Sequence, residues 1–293
     1  MDSNVLGASP AARLRTAMTA GPVVLPGAFC PLVARMAERM GFKGVYLSGA
    51  ALSASMALPD IGIVTLTEFV AAAKAITDAT SLPLICDADT GFGEALSVER
   101  TVQQFESVGV AGIHLEDQIL PKRCGHLSGK TLVDPEVMEA KIRAAVAAKQ
   151  NRSFLIIART DARGVTGYAD AVERANRYRA AGADAIFPEA LETPDEFAGF
   201  ASDSPGLLLA NMTEFGKSPN LNVDELGQLG YRLIIFPVTA LRVALKSVEE
   251  LFAGLAKSGH QRDFLTKMMT RTELYELLNY TEFEHRDRRY FGG

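Results

Sequence analysis

The chain has 293 residues, 48% hydrophobic and 22% charged, which is the composition of a folded globular protein rather than a disordered one. Lys and Arg number 30 against 35 Asp and Glu, so the net charge of −5 argues against a general nucleic-acid binder. Three cysteines build no disulfide framework and suit a reducing cytosol, no run approaches the length of a membrane span, and Met1 to Met18 lack the apolar core of a signal sequence; a cytoplasmic protein is expected.

In chain order, a helix over about Pro10–Ala20 precedes the first of eight short apolar runs. The runs are Val23–Leu25, Gly44–Leu47, Leu84–Cys86, Gly112–Leu115, Phe154–Ala158, Ala185–Phe187, Leu207–Ala210 and Leu233–Phe236. They are continuous rather than alternating, as strands buried on both faces are. Helix signals lie between them. Thr65 to Glu68 forms a capping box, and Val98, Val102 and Phe105 share a helical face. Asp134-Pro135 opens a helix whose apolar face is Met138, Ile142, Ala145 and Val146. Thr193-Pro194 opens another, with Glu196 at capping-box spacing. Gly41, Gly109, Gly182 and Gly230 end helices just before alternate strands, a faint sign of internal doubling. The tail from Gln261 to Tyr280 reads as helical, with Phe264, Leu265, Met268, Leu274, Leu277 and Leu278 apolar.

Eight strand–helix units over about 235 residues predict an α/β fold of the closed (β/α)8, TIM-barrel type. The turn Pro26-Gly27-Ala28-Phe29 lacks the G-x-G-x-x-G of a doubly wound nucleotide-binding sheet. The reading is one domain over residues 1–293: an N-terminal helix in 1–22, the barrel in 23–257 and a C-terminal helical arm in 258–293. A barrel is complete without the arm, so the arm is expected to pack on another subunit.

Active sites of such barrels lie at the C-terminal strand ends. Those ends carry Ser48-Gly49-Ala50, Asp87-Ala88-Asp89, Glu116-Asp117, Arg159-Thr160-Asp161, Glu189, Asn211-Met212-Thr213 and Pro237. With period two, Asp87 and Asp89 share a face, as do His114 and Glu116. Carboxylates converging at a barrel mouth repel unless a cation or protons intervene, and an all-oxygen set points to Mg²⁺ or Mn²⁺ rather than Zn²⁺. His114, inside a strand, reads as a hydrogen-bonded core residue. The segment from Asp117 to Val133 is long for such a connection and therefore functional in character. It holds Lys122-Arg123-Cys124-Gly125-His126, where neighbouring cations are expected to lower the thiol pKa of Cys124. Cys30 and Cys86 have apolar neighbours and read as packing residues. Arg159, Arg242 and Arg271 are candidates for holding an anionic substrate.

Lys122-Arg123-Cys124-Gly125-His126 resembles the K-R-C-G-H signature of the isocitrate lyase and phosphoenolpyruvate mutase superfamily. The resemblance runs in order through Tyr46 to Gly49, Leu58-Pro59-Asp60-Ile61-Gly62, Asp87 to Gly93, His114 to Gln118, Ala158 to Asp161, Phe187 to Ala190, Asn211 to Gly216 and Thr270 to Glu276. Within that superfamily it is most similar to the 2-methylisocitrate lyase family. One departure is Ala50, where a second glycine usually follows Ser48-Gly49.

The resemblance implies cleavage of 2-methylisocitrate into pyruvate and succinate in propionate breakdown, Mg²⁺, and a homotetramer that exchanges its C-terminal helices. The alternatives are isocitrate lyase or another activity of the superfamily, such as oxaloacetate hydrolase. It implies Tyr46 as the base, Cys124 as the acid, Asp87 as a direct metal ligand, and Asp89 and Glu116 as ligands through water. It assigns Ser48, Gly49, Ala50 and Arg159 to the pyruvate portion. Gly125, His126, Glu189, Asn211, Met212, Thr213, Arg242 and Arg271 fall to the succinate portion or the loop. Phe187, Ile235 and Pro237 are the candidate wall for the substrate methyl.

Overall fold

The computed structural model describes residues 7–291. Eight strands are present: β1 Val23–Pro26, β2 Val45–Leu47, β3 Leu84–Asp87, β4 Gly112–Glu116, β5 Leu155–Thr160, β6 Ala185–Pro188, β7 Leu209–Asn211 and β8 Leu233–Phe236. Each overlaps one of the eight apolar runs. All pairings are parallel; β2 to β6 form one ribbon and β1, β8 and β7 another. Single bridges, Gly27 to Tyr46 and Ile186 to Leu208, join the ribbons at both edges. The sheet is therefore closed as a (β/α)8 barrel.

The closed wall explains why the strands read as continuous runs. Alternate residues go to opposite sides of it. Leu25, Tyr46, Ile85, Leu155, Ile157, Phe187, Leu209 and Ile235 form one buried cluster, the barrel interior. Val45, Leu47, Cys86, Ile113, Leu115, Ile156, Ile186 and Ile234 join a second cluster beneath the surrounding helices. Both faces are dry, so neither needs polar residues.

The helices begin and end largely where their caps dictate. Pro10–Ala20 is a helix, capped by Ser9. Thr65 and Glu68 form the complete capping box of helix Leu66–Ala79. Two expected caps are incomplete. Asp134 precedes helix Pro135–Ala148 but its side chain makes no capping hydrogen bond. Thr193 caps helix Pro194–Asp203, yet Glu196 turns to Arg163 and to the Glu192 N–H instead of closing a box. Gly41, Gly109, Gly182 and Gly230 all have positive φ, the left-handed conformation that ends a helix.

The contacts divide the chain into a barrel unit up to Ala240 and a C-terminal unit from Leu241, a boundary inside helix Thr239–Ser258. The C-terminal unit is not one continuous helix. It continues through a 3₁₀ turn, Arg262–Lys267, and helices Arg271–Leu278 and Tyr280–Phe291, with left-handed Asn279 between the last two. Val243, Leu245, Phe252, Leu265 and Phe283 of this unit are exposed. No helix among the described residues is long and apolar enough to cross a membrane.

Candidate active site

Strand register brings the polar residues together. Asp87 pairs with His114, and Glu116 with Arg159, which in turn pairs with Phe187. Asp87, Glu116 and Arg159 sit at or near C-terminal strand ends, while Phe187 belongs to the apolar interior cluster. Asp87 accepts the Asp89 N–H at 3.0 Å and the Gly49 N–H at 3.1 Å. Ser48 caps the short helix Gly49–Ser55, which aims that Gly49 amide at Asp87. A side chain on Gly49 would meet Asp87 Oδ2 at 2.8 Å, so the close approach needs glycine. Asp89 departs from the expected parity. The strand ends at Asp87, and Asp89 has a φ of 44°. It reaches the acidic cluster from the loop, ion-paired to Lys122 at 2.8 Å.

The loop between β4 and helix Pro135–Ala148 lies across this site as a lid. Its stem is zipped: Ile119 N–H donates to Thr131 O and Val133 N–H to Asp117 O. The Gln118 side chain accepts from Arg123 N–H and donates to Arg123 O, both at 2.9 Å. Lys122 is buried between Asp60 and Asp89. His126 Nδ1 accepts the Lys217 N–H at 3.0 Å, so in the neutral ring the proton is on Nε2, 3.1 Å from Glu189 Oε1. A Cβ on Gly125 would overlap Glu189 Cγ and Arg159 Nη2. Glycine there provides space; Gly129, at φ 81°, provides backbone freedom.

Arg159 is the hub beneath the lid. Its guanidinium meets Asp161 at 3.0 Å, Glu116 at 3.3 Å and Glu189 at 3.4 Å, and Asn211 Nδ2 donates to Glu189 at 3.2 Å. Burial opposes ionisation of Glu189, but Arg159 and His126 outweigh it and hold the carboxyl well below its ordinary range. Burial also opposes ionisation of Asp87, and His114, Lys122 and Arg159 outweigh that. Asp89 goes the other way: burial and the Asp87 charge push it up to about 6. Burial pushes Glu116 up strongly.

These carboxylates fit a hydrated divalent cation. Both Glu116 oxygens are buried without a hydrogen bond, Arg159 standing off at 3.3 Å, and Asp89 Oδ1 meets the Lys122 ammonium at 2.8 Å. A cation with its water shell supplies what the Glu116 oxygens lack. Among the described residues no three His, Cys, Asp or Glu side chains converge at ligand distance. A bound ion would therefore keep much of its water, as Mg²⁺ does.

The Cys124 thiol corrects an expectation. Burial pushes its pKa up, not down. Lys122 is turned to Asp60 and Asp89, and the Arg123 guanidinium lies over Gly129. Neither adjacent cation serves the thiol, which stays protonated at neutral pH.

Tyr46 OH lies 2.7 Å from His114 Nε2, deep in the barrel interior. Burial raises the phenol pKa far above its ordinary value and lowers that of His114 to about 4. Phe187 packs edge-on to His114 at 5.4 Å and under Arg159 at 5.1 Å. Ile235 and Pro237 are buried at the end of β8. Met212 is a second correction: its side chain packs in the outer apolar layer, and its N–H donates to Ile235 O. Thr213 follows in the loop. Arg242 and exposed Arg271 belong to the C-terminal unit, in helices Thr239–Ser258 and Arg271–Leu278. Asp60, Lys122, Lys130 and Asp161 carry no role that sequence alone makes visible. The lysines are visible there only as charges in a loop; their burial is what marks them.

The phosphoenolpyruvate phosphomutase family model matches residues 14–256. A 2-methylisocitrate lyase of Aeropyrum pernix is 53% identical over 265 residues, 90% of this chain and 85% of that protein. A 2,3-dimethylmalate lyase structure superposes with a TM-score of 0.90 at 38% identity, covering 96% of this chain and 95% of that one. A phosphonopyruvate hydrolase, solved with oxalate and Mg²⁺, superposes with a TM-score of 0.88 at 34% identity, covering 97% of this chain and all of that one (100%).

Proposed function

The chain belongs to the phosphoenolpyruvate phosphomutase family, and on that premise we propose that it is a 2-methylisocitrate lyase, a carbon–carbon lyase that forms pyruvate and succinate. The observation that carries this reading is the free, half-buried Cys124 thiol, held in a lid over an acidic barrel mouth. Breaking C2–C3 leaves an electron pair on C3, next to a carboxylate. That carbanion needs a proton, which a phosphoryl transfer retaining its enolate does not.

Tyr46 serves as base by a relay in which no free tyrosinate forms: it takes the C2 hydroxyl proton as its own passes to His114 Nε2, 2.7 Å away, and after turnover that proton returns through solvent to the Cys124 thiolate. The C2–O electrons form the pyruvate carbonyl as C2–C3 breaks. Cys124 Sγ gives its proton to C3, completing succinate. Mg²⁺, or Mn²⁺ in its place, would be held by Asp87 directly and by Asp89 and Glu116 through water, and supplies Lewis-acid polarisation of the C2 hydroxyl and its carboxylate. Arg159 and the backbone of Ser48, Gly49 and Ala50 orient the pyruvate portion. Gly125, His126, Glu189, Asn211 and Thr213 order the lid and the succinate portion.

We further propose the cytoplasmic domain plan read from sequence, with 258–293 as an arm and a homotetramer as the assembly. The exposed apolar residues Leu265 and Phe283 support a subunit contact for that arm.

A test of the substrate assignment is the ratio of kcat/KM for 2-methylisocitrate and isocitrate. One methyl against Phe187, Ile235 and Pro237 is worth about 1–3 kcal/mol, or roughly 10–200-fold. Isocitrate is expected to be a poor substrate. An equal or better kcat/KM for isocitrate refutes the assignment while leaving the fold and the Cys124 role standing.

The lid supplies a second expectation. Limited proteolysis between Gln118 and Val133 should slow when Mg²⁺, pyruvate and succinate are added, because closure excludes water from the carbanion. Equal cleavage with and without them counts against a closing lid.

A further inference from the structure

Lys130 is a buried lid residue to which the mechanism gives no role. Its side chain is 1% exposed. The ammonium donates to the Gly125 carbonyl within the lid and, at 3.0 Å, to Asp161 Oδ1 beyond the end of β5. The first bond closes the lid tip into a ring. The second ties that ring to the barrel.

Asp161 is a rigid anchor. Its N–H donates to Asp117 Oδ1 at 2.9 Å, and Arg159 Nε donates to its carboxylate at 3.0 Å. Asp117 is itself held by the hydroxyls of Thr160 and Tyr178, each at 2.8 Å. Asp161 therefore cannot follow the lid if the lid moves. The carbonyl that Lys130 grips belongs to the residue next to Cys124. Arg159 shares the same Asp161 and also meets Glu116 and Glu189. The lid tip and the substrate-facing arginine thus hang on one carboxylate.

We propose that Lys130 is a positioning residue, a latch that sets Cys124 over the barrel mouth by tying the Gly125 peptide to Asp161. It rests on the reading of Cys124 as the acid. A buried ammonium persists only while its hydrogen bonds are made, so the latch is engaged or withdrawn as a unit. A reacting group displaced by about 1 Å loses on the order of 10²-fold in rate.

The test is Lys130→Met, which keeps an unbranched side chain one atom shorter and removes its charge. Iodoacetamide alkylation of each cysteine is followed by peptide mass spectrometry, without substrate. Cys30 is the internal reference and buried Cys86 reports global loosening. Alkylation of Cys124 should accelerate several-fold relative to Cys30, with Cys86 still protected. In turnover of 2-methylisocitrate, kcat should fall about 10–100-fold with a smaller change in KM, and Lys130→Arg should restore part of it. Asp161→Asn loosens the latch from the other side and should move the Cys124 ratio the same way. An unchanged ratio in both variants, or all three cysteines accelerating together, overturns the proposal. A wild-type protein that fails to cleave 2-methylisocitrate overturns the lyase reading instead, and the alkylation ratio still decides the latch.

Discussion

Replacing Cys124 by serine is expected to lower kcat by about 10²–10⁴-fold, the range that general acid catalysis supplies, while substrate affinity stays near wild type. Serine is nearly isosteric with cysteine and is a far weaker acid. The lid does not depend on the thiol for its anchors: Lys122, His126 and Lys130 hold it through Asp60, Asp89, Glu189 and Asp161. Loss of rate without loss of binding therefore reports the proton, not the fold. Burial has already raised the Cys124 pKa above its ordinary value. An acid must be protonated to act, so its activity is full below its pKa and is lost as pH rises through it. The alkaline limb of kcat/KM should accordingly lie above the ordinary thiol range of about 8.5, and it should vanish in the serine variant. Steady-state kinetics with pyruvate and succinate binding measured alongside decides the matter. Wild-type-like turnover of Cys124→Ser would remove this residue from the mechanism.

The difference between what sequence shows and what it hides follows from periodicity. A strand buried on both faces is a short apolar run, and eight of them were legible, with the glycines that end the preceding helices. Period two also places His114 and Glu116 on one side of the wall, because both lie inside β4. The rule fails at Asp89, two residues past Asp87, because the strand has already ended and the backbone turns through a positive φ. Loops have no period at all. Lys122 and Arg123 directly precede Cys124 in sequence, and their charges suggest an acidic thiol. In space both side chains leave it, one for Asp60 and Asp89, the other for Gly129. What remains around the sulfur is burial, which has the opposite sign. Met212 shows the same limit from the other direction. It sits between Asn211, which faces Glu189, and Thr213, yet its own side chain belongs to the outer apolar layer.

The largest metal-dependent effect should come from Asp87. Asp87→Ala removes the proposed direct ligand and also strands the N–H groups of Gly49 and Asp89, which donate to its two oxygens. Lewis-acid stabilisation is worth several kcal/mol, so activity should fall on the order of 10³-fold or more. Excess Mg²⁺ should recover only part of it, since added ion cannot replace the missing ligand or quiet the two amides. Asp87→Asn, which keeps an oxygen for one of those amides and drops the charge, separates the two losses: a metal role leaves it nearly as inactive as alanine. Asp89 should matter less for the metal, because a ligand acting through water typically costs about 10–100-fold when removed. Asp89→Ala also frees Lys122 from one of its two carboxylates, so part of its loss should appear as a looser lid. Mg²⁺ titrations of activity in the three variants, with Mg²⁺ affinity measured by calorimetry, give the ranking. If Asp89→Ala proves the more damaging and the less responsive to Mg²⁺, the two carboxylates have exchanged roles, and the left-handed turn at Asp89 rather than the end of β3 carries the direct ligand.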